Sequence, residues 1–165
     1  MALKEFIDSL SVDKQYTIAI KLAKLILPIW EQYADKHELV YRDTVVGLTH
    51  SVDRKLLENS IEAIEEYTNS KALFKRRNKL DTFYEQFADP VVSLKDNDWK
   101  VPYEVETAFF SIYNLIRNAI GKTPTVFDES SIYVSINQAA DALLTAKRFS
   151  VDEINEILTE ISSAP

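Results

Sequence analysis

The amino-acid sequence predicts an all-α fold, a single compact helical domain over residues 1–165 with about six or seven helices. Apolar residues recur at helical spacing along most of the chain. Only 2 of the 165 residues are glycine, too few for the positive-φ positions that sandwiches, barrels and phosphate-binding loops need. No repeat, low-complexity tract or long linker divides the chain, and 46% of its residues are hydrophobic. One core of ordinary size is therefore expected.

The first strong element is a long helix from about Val12 to Glu38. Ser11 is suited to be its N-cap, because a serine hydroxyl accepts a bond from a free backbone N–H. Apolar residues cover most of the helix circumference, which predicts a central position in the fold. Pro28 cannot donate a backbone hydrogen bond, so we expect this first long helix to be kinked there.

The middle of the chain contains three more predicted helices, over about 52–67, 71–87 and 103–120. The preceding segment, 39–51, lacks clear periodicity and is interpreted as a loop or a short helix. Asp89-Pro90 is expected to end the helix that begins near residue 71, because the residue before a proline avoids the α region. A polar loop is expected after it, over 93–100.

Two helices are predicted in the C-terminal part of the chain. Residues 130–148 have helical spacing, although the start, SIYVSI, alternates with period two and is also compatible with an extended segment. Ser150 and Glu153 have the spacing of a capping box for the last helix. No strand is predicted strongly anywhere.

Composition and motifs exclude several kinds of chemistry. The chain has no cysteine, which excludes disulfides, thiolate metal sites and a cysteine nucleophile. Its two histidines, His37 and His50, have no partner at metal-binding spacing, and no nucleotide-binding or serine-hydrolase motif is present. We therefore expect no enzymatic activity, cofactor, metal or small-molecule ligand. A pair of carboxylates in a cleft is the enzymatic alternative, and perturbed pKa values would identify it.

Charge and hydropathy narrow the partners. With 19 basic and 26 acidic residues the formal net charge is −7, which disfavours nucleic acid and anionic membranes and favours a basic partner. No stretch is long and apolar enough to span a bilayer, and the opening residues do not resemble a signal peptide. We expect a soluble, cytoplasmic protein. A basic run is interpreted as a solvated helix face rather than an RNA-binding patch; it comprises Lys71, Lys75, Arg76, Arg77 and Lys79.

Two regions are candidate partner-binding surfaces. The first is an acidic ridge on the helix over 52–67, which is also compatible with an ordinary solvated surface. The second is an acidic region where aromatic residues are interleaved; there Trp99 either anchors a partner or folds back onto the core. The ridge comprises Glu58, Glu62, Glu65 and Glu66, and the second region comprises Asp96, Asp98, Trp99, Tyr103, Glu104 and Glu106.

The stretch AIKLAKLILPIWEQYADKH, followed by SVDRKLLENSIEAIEEYTNSK, resembles helical immunity proteins of bacterial polymorphic and contact-dependent toxin systems. It is also similar to an uncharacterised family of small helical bacterial proteins. The resemblance covers about residues 15–70 and carries over no contact residues. It implies a cytoplasmic, non-enzymatic protein that binds a toxin domain, often a nuclease, and blocks its active site. The alternative is a helical adaptor or regulatory module with another protein partner.

Overall fold

The computed structural model describes residues 2–69, 73–122 and 130–165, with side chains from residue 77 onward in the second range. These residues form seven helices and one two-stranded antiparallel sheet, which confirms the all-α prediction. In chain order the elements are α1 (Leu3–Asp8), α2 (Val12–Lys36), β1 (Val40–Arg42), β2 (Thr49–Ser51), α3 (Leu56–Asn69), α4 (Leu73–Lys95), α5 (Tyr103–Ala119), α6 (Ser131–Thr145) and α7 (Val151–Ser163). No helix among the described residues is both long and apolar enough to cross a membrane.

Helix α2 is the centre of the fold, as its broad apolar surface predicts, and it packs against α3, α5, α6 and α7. Ser11 caps it, because the serine hydroxyl accepts a bond from the Lys14 N–H at 3.3 Å. The helix is assigned without a break through Pro28. Near its end, the indole N–H of the fully buried Trp30 donates to the Arg54 carbonyl oxygen at 2.8 Å, which ties α2 to the segment before α3.

Helices α5 and α6 form the most extensive helix pair. Two buried serines join them reciprocally: the Ser111 hydroxyl donates to the Ser135 carbonyl oxygen, and the Ser135 hydroxyl donates to the Ser111 carbonyl oxygen, both at 2.7 Å. Small side chains at both positions let the two backbones approach closely. Each hydroxyl is thereby hydrogen-bonded inside the core.

Residues 39–51 form a β-hairpin, so the prediction of a loop or short helix is wrong. Val40 pairs with Ser51, and Arg42 pairs with Thr49. The reason is burial at alternate positions: Leu39 and Tyr41 face the core, whereas Val40 and Arg42 face outward. Two strands of three residues each are too short for this alternation to stand out in the sequence.

Helix α4 continues to Lys95, so the prediction that Asp89-Pro90 ends it is wrong, and the first residues of the predicted 93–100 loop are helical. The helix carries a buried stripe past the proline, at Phe87, Val91 and Leu94. Burying these side chains outweighs the one hydrogen bond that a proline removes from the helix.

Two predictions for the C-terminal part of the chain are confirmed. Helix α6 begins at Ser131, so the segment SIYVSI is helical and not extended. The predicted capping box of α7 is confirmed: Ser150 Oγ accepts from the Glu153 N–H at 3.2 Å, and a Glu153 carboxylate oxygen accepts from the Ser150 N–H at 3.0 Å. Helix α1, which the sequence did not predict, is short and anchored by the buried Ile7.

Candidate functional site

Trp99 lies in the core, only 5% exposed, so it is not an exposed anchor for a partner. Its ring stacks on Tyr41 of the hairpin at a centroid distance of 5.6 Å and meets Trp30 edge-on at 6.3 Å. A reversal after α4 turns it inward: Asn97 has φ 62°, and the Trp99 N–H donates to the Ser93 carbonyl oxygen. Asparagine tolerates this left-handed conformation better than most residues. Of the two interpretations of Trp99, the structure shows the one in which it folds back onto the core.

Asp98, beside Trp99, binds the hairpin. Its carboxylate accepts a hydrogen bond from the Thr44 hydroxyl at 2.9 Å and a longer one from the Thr44 N–H at 3.4 Å. Asp96, two residues earlier, is exposed. The first part of the predicted acidic region is therefore attached to a turn of the chain that the sequence did not identify as functional.

The rest of the predicted acidic region lies on the first turn of α5. Tyr103 is 56% exposed and its hydroxyl donates to the Asp141 carboxylate of α6. Glu104 and Glu106 are half-buried, and burial raises the pKa of the Glu106 carboxyl. Acidic residues at a helix N-terminus are stabilised by the helix dipole, so these two carboxylates also have a structural role.

The acidic ridge is partly neutralised within the protein. Glu65 forms an ion pair with Lys24 of α2 at 2.6 Å, and Glu66 pairs with Lys79 of α4 at 3.6 Å. Glu58 is half-buried and Glu62 exposed, and neither has an ion-pair partner among the described residues. Only half of the ridge therefore offers unpaired carboxylates.

The basic run is used inside the fold where the structure describes it. Arg77 donates to the Ile120 carbonyl oxygen at 2.7 Å and lies 3.7 Å from the Asp81 carboxylate. Lys79 pairs with Glu66. These contacts agree with a helix face that binds its own neighbours. The side chains of Lys71, Lys75 and Arg76 lie outside the described residues.

The turn of the hairpin exposes a cluster of apolar side chains. Val45 is 88% exposed, Val46 62% and Leu48 59%. The backbone beneath them is nevertheless well ordered by hydrogen bonds: Asp43 Oδ1 accepts from the N–H groups of Val45 and Val46 at 2.7 and 3.3 Å, and the Gly47 N–H donates to the Asp43 carbonyl oxygen at 2.8 Å. Gly47 has φ 72°, a value that favours glycine.

The sequence contains a signal for this turn. An aspartate four residues before a glycine, flanked by short alternating segments, is typical of a hairpin loop built on a hydrogen-bonded turn with a left-handed final residue. The segment is DTVVG, from Asp43 to Gly47. Three apolar residues within four positions of a predicted surface turn then indicate a contact surface.

An acidic stripe on α4 lies beside the hairpin. It comprises Glu85 and Asp89 of α4 and Asp96, the first residue after the helix, with the exposed Val92 between the last two. Their spacing of i, i+4, i+7 and i+11 places the α4 members on one helix face, and the bond from the Asp96 N–H to the Val92 carbonyl oxygen continues the last turn to Asp96. Among the described residues these three carboxylates have no ion-pair partner. We call the turn from Asp43 to Leu48 together with this stripe the hairpin–α4 surface.

A cleft of about 410 Å³ lies between the strands of the hairpin and α4. Tyr41 and His50 line it from the hairpin, and Glu85 and Asp89 line it from α4. Asp53 adds a third carboxylate, and no lysine or arginine is among the lining residues. Burial raises the pKa of the Tyr41 hydroxyl, and the nearby Asp89 carboxylate adds to the shift.

The arrangement can present carboxylates and apolar side chains to another molecule. Within the described ranges, no group of three or more histidine or acidic side chains is placed to hold a metal ion. A scan against protein-family models, a search of curated proteins and a search of solved structures each found no match to this chain.

Proposed function

We propose that this chain is a non-enzymatic immunity protein, which binds a basic, nuclease-type bacterial toxin domain and covers its active site. The hydrogen bond between Thr44 and Asp98 is the observation that carries the proposal. It joins an exposed apolar turn to Asp98, in the first part of the acidic region predicted from the sequence. Apolar contacts surrounded by charged groups are typical of protein–protein interfaces.

Electrostatics supports a basic partner. The net charge of −7 attracts a positively charged protein over about a Debye length, roughly 8–10 Å at physiological salt. A nuclease must hold phosphate and therefore carries positive charge where its substrate binds. Carboxylates that occupy this positive surface would exclude the nucleic acid and would also raise the association rate. The resemblance over residues 15–70 supports the same function and a cytoplasmic location.

The second candidate is a helical adaptor or regulatory module. The same surface supports it, because an exposed apolar turn beside carboxylates fits other basic protein partners equally well. The two candidates differ in what binding achieves: an immunity protein abolishes the toxicity of its partner, whereas an adaptor leaves the activity of its partner in place.

A co-expression experiment tests the proposal. The chain carries the only affinity tag, and the protein encoded immediately upstream of it is expressed with it. The proposal expects a stoichiometric complex with a basic C-terminal domain and relief of the growth arrest that this domain causes alone. A stable complex without relief would favour the adaptor. The absence of both a complex and relief would contradict the immunity function.

The salt dependence of the association rate tests whether electrostatic attraction drives binding. If carboxylates steer the partner, the association rate should fall as sodium chloride increases, while the dissociation rate changes little. A rate that does not depend on salt would contradict the electrostatic part of the proposal.

A further inference from the structure

We infer that the turn from Asp43 to Leu48 is the anchor of the interface, with Val45 and Val46 entering an apolar pocket of the partner whose rim is basic. The carboxylates of Glu85 and Asp89 on α4, and of Asp96 directly after it, face that rim. The inference rests on the proposed function, because the partner it commits to is the same basic toxin domain. It adds which part of the surface makes the decisive contact and what chemistry the partner must offer.

The first argument is the exposure of the turn. Isolated apolar residues on a surface are common, as at Val12 and Val151, the first residues of α2 and α7. In the turn, however, three large apolar residues stand within four positions, and Val45 is the most exposed of the large hydrophobics in the described chain. Side chains this exposed contribute little to the core, and clusters of this kind mark interaction sites.

The second argument is preorganisation. The turn is closed by the bond from the Asp43 N–H to the Leu48 carbonyl oxygen at 2.9 Å and is held at its side by Asp98. Its base is fixed in the core through Tyr41, which stacks on Trp99. A turn that is already ordered loses little conformational entropy on binding, so its apolar contacts add to the affinity with little offset.

The third argument is charge, which identifies the partner as basic. On the α4 stripe, Glu85, Asp89 and Asp96 are exposed and have no ion-pair partner among the described residues, unlike Glu65 and Glu66 of the acidic ridge. The cleft between stripe and hairpin is lined by three carboxylates and by no lysine or arginine. The hairpin itself carries one cation, Arg42. Its guanidinium lies against the turn backbone, 3.5 Å from the position that a Cβ atom added to Gly47 would occupy. The stripe is thus complementary to lysines and arginines around an apolar pocket.

The test compares two substitutions at equally exposed valines. Val46→Asp changes the turn, and Val151→Asp changes the first residue of α7; the two valines are 62% and 58% exposed. The probe is the purified C-terminal domain of the protein encoded immediately upstream, and binding is measured by calorimetry. We expect Val46→Asp to weaken binding about 100-fold, the effect of losing an interface hot spot. Val151→Asp should leave the affinity within about twofold of the unchanged protein.

A second measurement does not depend on losing affinity. Because the chain has no cysteine, single variants Val46→Cys and Val151→Cys each take one environment-sensitive fluorophore. Addition of the toxin domain should shift the emission of the Val46→Cys label to shorter wavelength and leave that of the Val151→Cys label unchanged.

The outcomes separate the inference from the function on which it rests. If the unchanged protein binds and protects, but Val46→Asp binds equally well and the Val46→Cys label shows no shift, the anchor is elsewhere and only this inference is overturned. If the unchanged protein neither binds the domain nor relieves growth arrest, the proposed function is wrong, and the inference falls with it.

Discussion

Thr44 and Asp98 are 54 positions apart in the sequence, yet the hydroxyl of one donates a 2.9 Å hydrogen bond to the carboxylate of the other. This bond connects the tip of the hairpin to the loop that turns Trp99 into the core. The tip therefore has two attachments, one through its own strands and one through the loop that follows α4. Its orientation depends on both.

Removing this bond should loosen the turn without unfolding the protein. For Thr44→Val we expect a loss of about 1 kcal/mol or less in the free energy of unfolding, because the bond is exposed to water. Amide hydrogen exchange over residues 43–48 should accelerate clearly. Thr17→Val is the matched control, since that hydroxyl binds only the Asp13 carbonyl oxygen of its own helix. Equal exchange rates in both variants would contradict the bracing role of Asp98.

The reciprocal serines should contribute measurably to the packing of α5 on α6. Ser111→Ala and Ser135→Ala each remove one buried interhelical bond, so we expect each to cost about 1 kcal/mol in urea unfolding. Ser60→Ala is the control, because the buried Ser60 hydroxyl binds only the Leu56 carbonyl oxygen within its own helix. The prediction does not hold if Ser111→Ala and Ser60→Ala destabilise the protein equally.

Replacing Trp30 should lower the free energy of unfolding more than replacing Trp99. Substitution of Trp30 by phenylalanine leaves a cavity at a fully buried position and removes the donor to the Arg54 carbonyl oxygen, so we expect a loss of about 2–4 kcal/mol. Trp99→Phe should cost less, because the Trp99 indole donates no hydrogen bond to any described residue. Urea midpoints of the two variants, measured side by side, decide the order.

The stability of the protein at high pH should depend on the ionisation of Tyr113. Burial, together with the hydrogen bond to Tyr84, raises the pKa of its hydroxyl to about 12. Between pH 10, the ordinary value, and about pH 12, the unfolded chain has lost this proton while the folded protein retains it, so the free energy of unfolding falls as pH rises through that range. Tyr113→Phe should flatten this decline and remove a late component from the tyrosinate absorbance titration. An unchanged titration curve would refute the assignment.

Local signals in the sequence predicted much of the helical framework. The caps at Ser11 and Ser150 act within one turn of helix, so their effect depends only on neighbouring residues. Helix α4 was predicted too short because its continuation past Pro90 depends on burial of Val91 and Leu94 by other elements. A local rule about proline cannot include that contribution.

The candidate site was harder to predict because its geometry depends on distant pairs. The acidic character of residues 96–106 is visible in the sequence, but the attachment of Asp98 to the hairpin is not. Likewise, the pairing of Glu65 with Lys24 joins residues 41 positions apart and reduces the charge that the ridge offers. The sequence around Trp99 is compatible with either an exposed or a buried side chain. The stacking of Trp99 on Tyr41, which the sequence does not show, places it in the core.

The hairpin turn has one consequence for how this protein can change over generations. Val45, Val46 and Leu48 contribute almost nothing to the core, whereas Asp43 and Gly47 set the backbone path beneath them. Substitutions at the three apolar positions should therefore be nearly free of stability cost, and those at the other two should not. One helical scaffold could in this way acquire new binding preferences through a few codons, while its folding is left untouched.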